Sequence, residues 1–200
     1  YLNNNEMEEP FCELNDLISN NEDLILLTGN YKNFFGKLFY ANKIKVFNET
    51  VNLLKSHFND RIYFEIQRHN ENEEKNFENH LLNCSESLNI PLIASQEVYY
   101  LNSNMSEAHD ALTCIGEKNF VDDKNRFRYS NQHYLKKNDE LSKLFSDIPE
   151  ALENNYNFHL RFNFKPKKSK PILPSIANDQ SNSPEEELVR QAKEGLKNRI

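Results

Sequence analysis

Three short apolar runs separated by stretches of helical period constrain this chain more than any other feature. The runs are Leu24–Thr28, Arg61–Gln67 and Ile90–Ala94. Between the first two, Ile44, Phe47, Val51, Leu54 and Phe58 recur at spacings of three and four, which makes one apolar helix face. Between the second and third, Phe77, Leu81, Cys84 and Leu88 do the same. Strand, helix, strand, helix, strand implies parallel strands with helical crossovers, because parallel neighbours cannot be joined by a tight turn. The predicted class is therefore α/β, with the sheet either open or closed into a barrel. Three strands do not close a barrel, so a closed form needs more strands ahead of Tyr1. The chain opens without Met and reaches Ile200 inside a helical pattern, and it reads as a piece of a longer protein.

Local signals fill in the rest. Pro10–Ile18 and Lys32–Tyr40 read as short helices, Asn59-Asp60 as a turn, and Asn89 as a helix stop. Glu71–Glu74 place negative charge at a helix start, where the dipole favours it. Beyond the third strand, helices are predicted at Ser106–Ile115, Asp139–Phe145 and Pro149–Leu160. The last has Pro149 at its first position and Leu152, Tyr156 and Leu160 on one stripe. Pro166, Pro171 and Pro174 interrupt Asn163–Asn182, and Ser183-Pro184-Glu185-Glu186 is then a capping box with Leu188, Ala192, Leu196 and Ile200 behind it. The expected organisation is one domain over 1–162, a linker over 163–183, and the start of a second domain over 184–200.

Composition removes several functions. A net charge of −7 argues against a free-standing nucleic-acid binder, which needs clustered Lys and Arg for phosphates. The one basic stretch, Arg161, Lys165, Lys167, Lys168 and Lys170, is either a nucleic-acid contact or a solvated linker. Cys12, Cys84 and Cys114 are far apart and form no C-x-x-C pair, so neither a zinc ribbon nor a disulfide framework is predicted, and a reducing cytoplasm fits. No run reaches the length of a membrane-spanning helix. Four glycines and no Gly-rich loop leave no cradle for a dinucleotide.

What chemistry remains gathers at the carboxyl ends of the strands, where α/β proteins carry their sites. Alternation along the second strand sends Ile62, Phe64 and Ile66 one way and Tyr63, Glu65, Gln67 and His69 the other. Past the third strand, Ser95, Glu97 and Tyr99 share a face. Glu65, His69 and Glu97 are thus candidate ligands for zinc or manganese. Each can equally be a structural residue satisfied by hydrogen bonds, and a metal site needs three or four ligands. His109-Asp110 is a possible catalytic pair or, since sequence neighbours face different ways on a helix, a packing pair.

Several runs in one order carry a resemblance: YFEIQRH from Tyr63, IPLIASQEVYYL from Ile90, EAHDALTCI from Glu107, DD-x-x-R-x-R from Asp122, YLKKNDEL from Tyr134, LFSDIPEALENN from Leu144, and SPEEELVRQAKEGLKNR from Ser183. They resemble the alpha (catalytic) subunits of bacterial DNA polymerase III, over the later part of the PHP domain and the start of the polymerase region. The resemblance implies a distorted β/α barrel with a metal site at the strand ends, its first histidine-rich motifs lying upstream. Where the family carries Asn-Asp-Val-His, this chain has Gln96-Glu97-Val98-Tyr99, and a neutral phenol is a poor substitute for an imidazole ligand. That departure implies a PHP domain turned scaffold, with the separate proofreading exonuclease subunit, other replicase subunits and DNA as partners. The alternatives are an active metal-dependent PHP phosphoesterase or 3′–5′ exonuclease, and a stand-alone interaction module. The polymerase carboxylates, with their two magnesium ions, belong downstream of Ile200, so no catalytic residue is expected in this segment. An incomplete barrel also exposes strand edges, and residues 1–200 alone are expected to aggregate or remain partly unfolded.

Overall fold

The computed structural model of the chain describes residues 12–169, 171 and 183–199. The chain divides into two compact units, Tyr1–Phe162 and Asn163–Ile200.

In the first unit, helix α1 spans Leu14–Ser19 and strand β1 is Leu26–Leu27. Pro10 and Phe11, placed in the first predicted helix, lie outside the described residues. β1 is shorter than its apolar run because the carbonyl of Leu24 is taken by the Arg61 guanidinium (2.7 Å) and Gly29 turns the chain at φ +77°. Helices α2 (Phe34–Tyr40) and α3 (Ile44–Phe58) follow. In α2, Gly36 lies so close to the Tyr31 backbone that a Cβ would stand 2.0 Å from the Tyr31 carbonyl oxygen. Then come β2 (Ile62–Gln67), α4 (Glu74–Leu88) and β3 (Leu92–Ser95). Asn59 after α3 and Asn89 after α4 take positive φ (+54° and +49°), which Asn adopts more readily than other residues with a side chain.

The strands form one parallel sheet in the order β1-β2-β3. Leu26 pairs with Ile62, and Phe64, Glu65, Ile66 and Gln67 pair with Leu92, Ile93, Ala94 and Ser95. The sheet of the described residues is open. Its alternation is as expected: Ile62, Phe64 and Ile66 are buried in the main core with Phe47, Val51, Leu54 and Phe58 of α3 and Phe77 and Leu81 of α4. Burying each of these side chains stabilises the fold by roughly 1.5–3 kcal/mol.

Three further helices complete the unit: α5 (Ser106–Glu117), α6 (Asn138–Leu144) and α7 (Pro149–Phe158). Phe145, Ile148 and Ala151 join the core. Of the stripe expected on α7, Leu152 packs on the core, whereas Tyr156 is 77% and Leu160 71% exposed, and Leu160 lies in a separate 3-10 turn, His159–Arg161. Ala151 and two asparagines occupy the inner face instead. The second unit contains α8 (Pro184–Lys197). Its capping box is present, with the Glu186 N–H donating to Ser183 Oγ at 3.3 Å and the Ser183 N–H to Glu186 Oε2 at 3.2 Å. Leu188 and Leu196 of α8 are exposed.

Candidate functional site

The polar groups at the carboxyl end of the sheet tie the three strands together. Glu65 projects from β2 on the face opposite the core. Its Oε2 accepts the Gly29 N–H (3.1 Å), and its Oε1 accepts from Gln67 Nε2 (3.0 Å) and from the Ser95 hydroxyl. Asn30 Nδ2 donates to Gln67 Oε1 at 2.9 Å, so the loop after β1 joins the same network. Five residues from β2, β3 and the loop after β1 thus close on one another, and Glu65 has protein partners on both oxygens.

His69 is almost fully buried just past β2. Its N–H lies 2.8 Å from both carboxylate oxygens of Glu74, in the first turn of α4. Its Nε2 accepts the Glu97 N–H at 3.1 Å, which leaves Nδ1 as the protonated nitrogen, donating to Glu74 Oε1 at 3.1 Å. The Ser130 hydroxyl donates to its carbonyl (2.5 Å). Both ring nitrogens are therefore used inside the protein. Glu74, expected only to serve the helix dipole, is a buried acceptor for His69 and for the Glu71 N–H (3.1 Å).

The sequence reading did not single out His133, and the structure places it at the centre of the rim. It is fully buried, and its ring stacks on His69 with centroids 4.1 Å apart and planes within 2°. Its Nδ1 donates to the Glu97 carbonyl at 3.1 Å, and its own carbonyl accepts the Tyr99 N–H at 2.9 Å. With the Leu135 N–H on the Tyr100 carbonyl (3.0 Å), this segment runs as a short parallel bridge beside Tyr100. No periodicity marks such a stretch in advance. His133 Nε2 has no hydrogen-bond partner among the described residues and stands 3.6 Å from Glu71 Oε1. Burial opposes ionisation of Glu71, but His133, Lys32 and Tyr31 around it hold its pKa at about 2. Lys32 and Tyr31 bond it directly, at 2.9 and 2.5 Å.

Tyr99 packs against the same cluster, with its ring 5.0 Å from His109, 4.5 Å from Tyr129 and 5.3 Å from His133. Its hydroxyl donates to Glu97 Oε1 at 2.6 Å. Burial, and then that hydrogen bond, push the phenol pKa well above its ordinary value, so Tyr99 is neutral at any physiological pH. The candidate zinc or manganese ligands Glu65, His69 and Glu97 already have hydrogen-bond partners in this arrangement. Glu65 and both His69 nitrogens are bonded within the protein, and the protonated Tyr99 hydroxyl donates to Glu97 Oε1. Among the described residues, no three His, Cys, Asp or Glu side chains form a group able to hold a metal ion.

Of the remaining expected residues, only His109 touches the rim. His109 packs on Tyr99, while its neighbour Asp110 turns away and binds Arg126 through both oxygens. Arg161 is not part of a free basic stretch: its guanidinium donates to the Asp60 carbonyl (2.7 Å), Asp60 Oδ2 (2.7 Å) and the Tyr63 hydroxyl (2.5 Å). Lys165, Lys167 and Lys168 are exposed and lie in no helix or strand, and Lys170 lies outside the described residues.

No protein-family profile matches the chain. It is 36% identical over 200 residues to a protein of Caulobacter vibrioides named DNA polymerase III subunit alpha, covering 100% of this chain and 18% of that protein. Proteins of the same name from Rickettsia bellii (35% over 186 residues, 92% of this chain and 16% of the relative) and Escherichia coli K12 (31% over 192 residues, 96% and 16%) match as well. The chain thus spans less than a fifth of the length of these relatives. No helix of the described residues is long and apolar enough to cross a membrane.

Proposed function

We propose, from its similarity to one segment of the proteins named DNA polymerase III subunit alpha, that this chain is a scaffold and docking segment of a replicative DNA polymerase. In this reading, the whole polypeptide carries out template-directed DNA synthesis in the cytoplasm as a nucleotidyltransferase, and its partners are DNA and other replicase subunits. The magnesium ions of that reaction belong to a part of the protein outside this segment. Residues 1–162 are the later part of a PHP-type barrel, 163–183 a linker and 184–200 the start of the polymerase region. Exposed Lys165, Lys167 and Lys168 are compatible with a backbone contact to DNA in that linker.

The observation that carries the scaffold reading is the state of the rim. Glu65, His69 and Glu97 mark a degraded metal site, where a protonated Tyr99 donates to Glu97 and His69 has both nitrogens bonded. One feature favours the second reading, an active metal-dependent PHP phosphoesterase or 3′–5′ exonuclease: the buried, unpartnered Nε2 of His133 beside Glu71.

A docking role is supported by apolar side chains left outside on α5. Leu112 is 64% and Ile115 76% exposed, and Met105 and Leu101 are also exposed nearby. We assign this face to the proofreading exonuclease subunit. Replacing both Leu112 and Ile115 with Asp in the full-length protein is expected to weaken binding of that subunit at least about tenfold while the melting temperature stays within a degree or so, because neither side chain is in the core. Unchanged binding in a pull-down or by calorimetry would remove α5 from the docking surface.

A further inference from the structure

The open edge of β3 is not bare. In the β2–β3 ladder, the Phe64 N–H donates to the Pro91 carbonyl at 3.0 Å. Alternation along a strand then directs Ile93 and Ser95 towards β2, and the backbone groups of Leu92 and Ala94 away from it. Those outward groups are where a fourth strand would pair. Asn155 of α7 meets both groups of Ala94, its Oδ1 accepting the N–H at 3.1 Å and its Nδ2 donating to the carbonyl at 2.5 Å. Asn154 Nδ2 donates to the Leu92 carbonyl at 2.7 Å. A carboxamide carries the same donor and acceptor as a peptide group, so Asn155 matches the edge as a strand residue would.

We infer that Asn154 and Asn155 are a side-chain strap over the β3 edge, occupying the backbone groups of Leu92 and Ala94 so that no strand of another polypeptide adds there. An uncovered strand edge invites pairing with other chains. The strap answers that hazard at β3 and removes one of the reasons for expecting the segment to aggregate. It also explains why two polar residues take the inner face of α7 while Tyr156 and Leu160 lie outside.

The test is hydrogen exchange read by mass spectrometry in the full-length protein, with sedimentation velocity alongside. In Asn155→Ala, the Ala94 amide is expected to exchange about tenfold faster, the size of effect that loss of one hydrogen bond gives, while the β2 amides keep their protection. Asn155→Asp keeps an acceptor but sets a carboxylate oxygen against the Ala94 carbonyl, and is also expected to speed exchange at Ala94. The double replacement of Asn154 and Asn155 by Ala is expected to self-associate with rising concentration. Unchanged exchange at Ala94 in Asn155→Ala would overturn the inference. So would β2 and β3 losing protection together, since the asparagines would then hold the whole sheet rather than its edge. If Asn155→Ala does not fold, Asn155→Asp decides alone, and unchanged exchange at Ala94 in it counts against the strap.

Discussion

Arg68→Ala is expected to lower the unfolding free energy by about 3–5 kcal/mol, the cost of leaving one partner of a buried ion pair alone. Arg68 lies just past β2 and grips three elements. Its Nε and Nη2 donate to the two oxygens of Glu78 in α4, both at 2.8 Å. Nη1 and Nη2 donate to Asp147 at 2.7 and 2.9 Å, and Nη1 also reaches the Leu144 carbonyl at the end of α6 (2.5 Å). The guanidinium lies over the Phe145 ring at 5.0 Å. Glu78 is only 4% exposed, and without Arg68 it keeps Lys75 (3.0 Å) as its remaining cation. Arg68→Lys is expected to recover a minor part, because an ammonium cannot make the paired, planar contacts. Urea unfolding of the variants, with an unchanged denaturant slope, measures this directly.

The same group sets an acid limb. Burial would raise the pKa of Glu78, but Arg68 and Lys75 outweigh it and hold the carboxyl below its usual 4.5. A depressed carboxyl contributes stability that is complete above pH 4.5 and is lost as pH falls through the lower folded value. Glu78→Gln is expected to flatten that part of the stability curve. Arg68→Ala shifts it to higher pH, since burial then dominates.

Glu74→Ala is expected to cost about 2–4 kcal/mol, because it strands buried donors rather than removing a surface charge. Glu74 accepts the N–H groups of His69 and Glu71 and the Nδ1–H of His69. Without it, the His69 loop loses its anchor to α4, and the stack of His69 on His133 loses the bond that fixes its lower ring. The accompanying sign is local: the Glu97 amide, which donates to His69 Nε2, should exchange faster in Glu74→Ala than amides of α3. A variant as stable as the parent, with Glu97 still protected, would show that other groups position His69.

Much of the fold was legible because its signals are local. The three-and-four spacing of Phe47, Val51, Leu54 and Phe58 matches the buried face of α3, and the alternation in β2 separates core from rim. Several asparagines have a conformational role: Asn42, Asn59, Asn70 and Asn89 all take positive φ. What was not legible depends on contacts distant in sequence. His133 reaches His69 only because its segment pairs with the chain around Tyr100. Asn154 and Asn155 break the apolar pattern of α7 because they serve the edge of a strand some sixty residues earlier. Convergence of Glu65, His69 and Glu97 onto one ion was expected from strand register alone. Register brings them to one rim, and hydrogen bonds to Gly29, Ser95, Glu74 and the Glu97 backbone then occupy them.

The central claim is that this rim is held together by its own hydrogen bonds rather than by an ion. Metal analysis of the purified full-length protein, paired with an exonuclease assay, tests it most directly. The account predicts zinc and manganese well below one per chain and no 3′–5′ exonuclease activity that depends on Glu97. Tight, stoichiometric metal together with exonuclease activity that disappears in Glu97→Ala would contradict it.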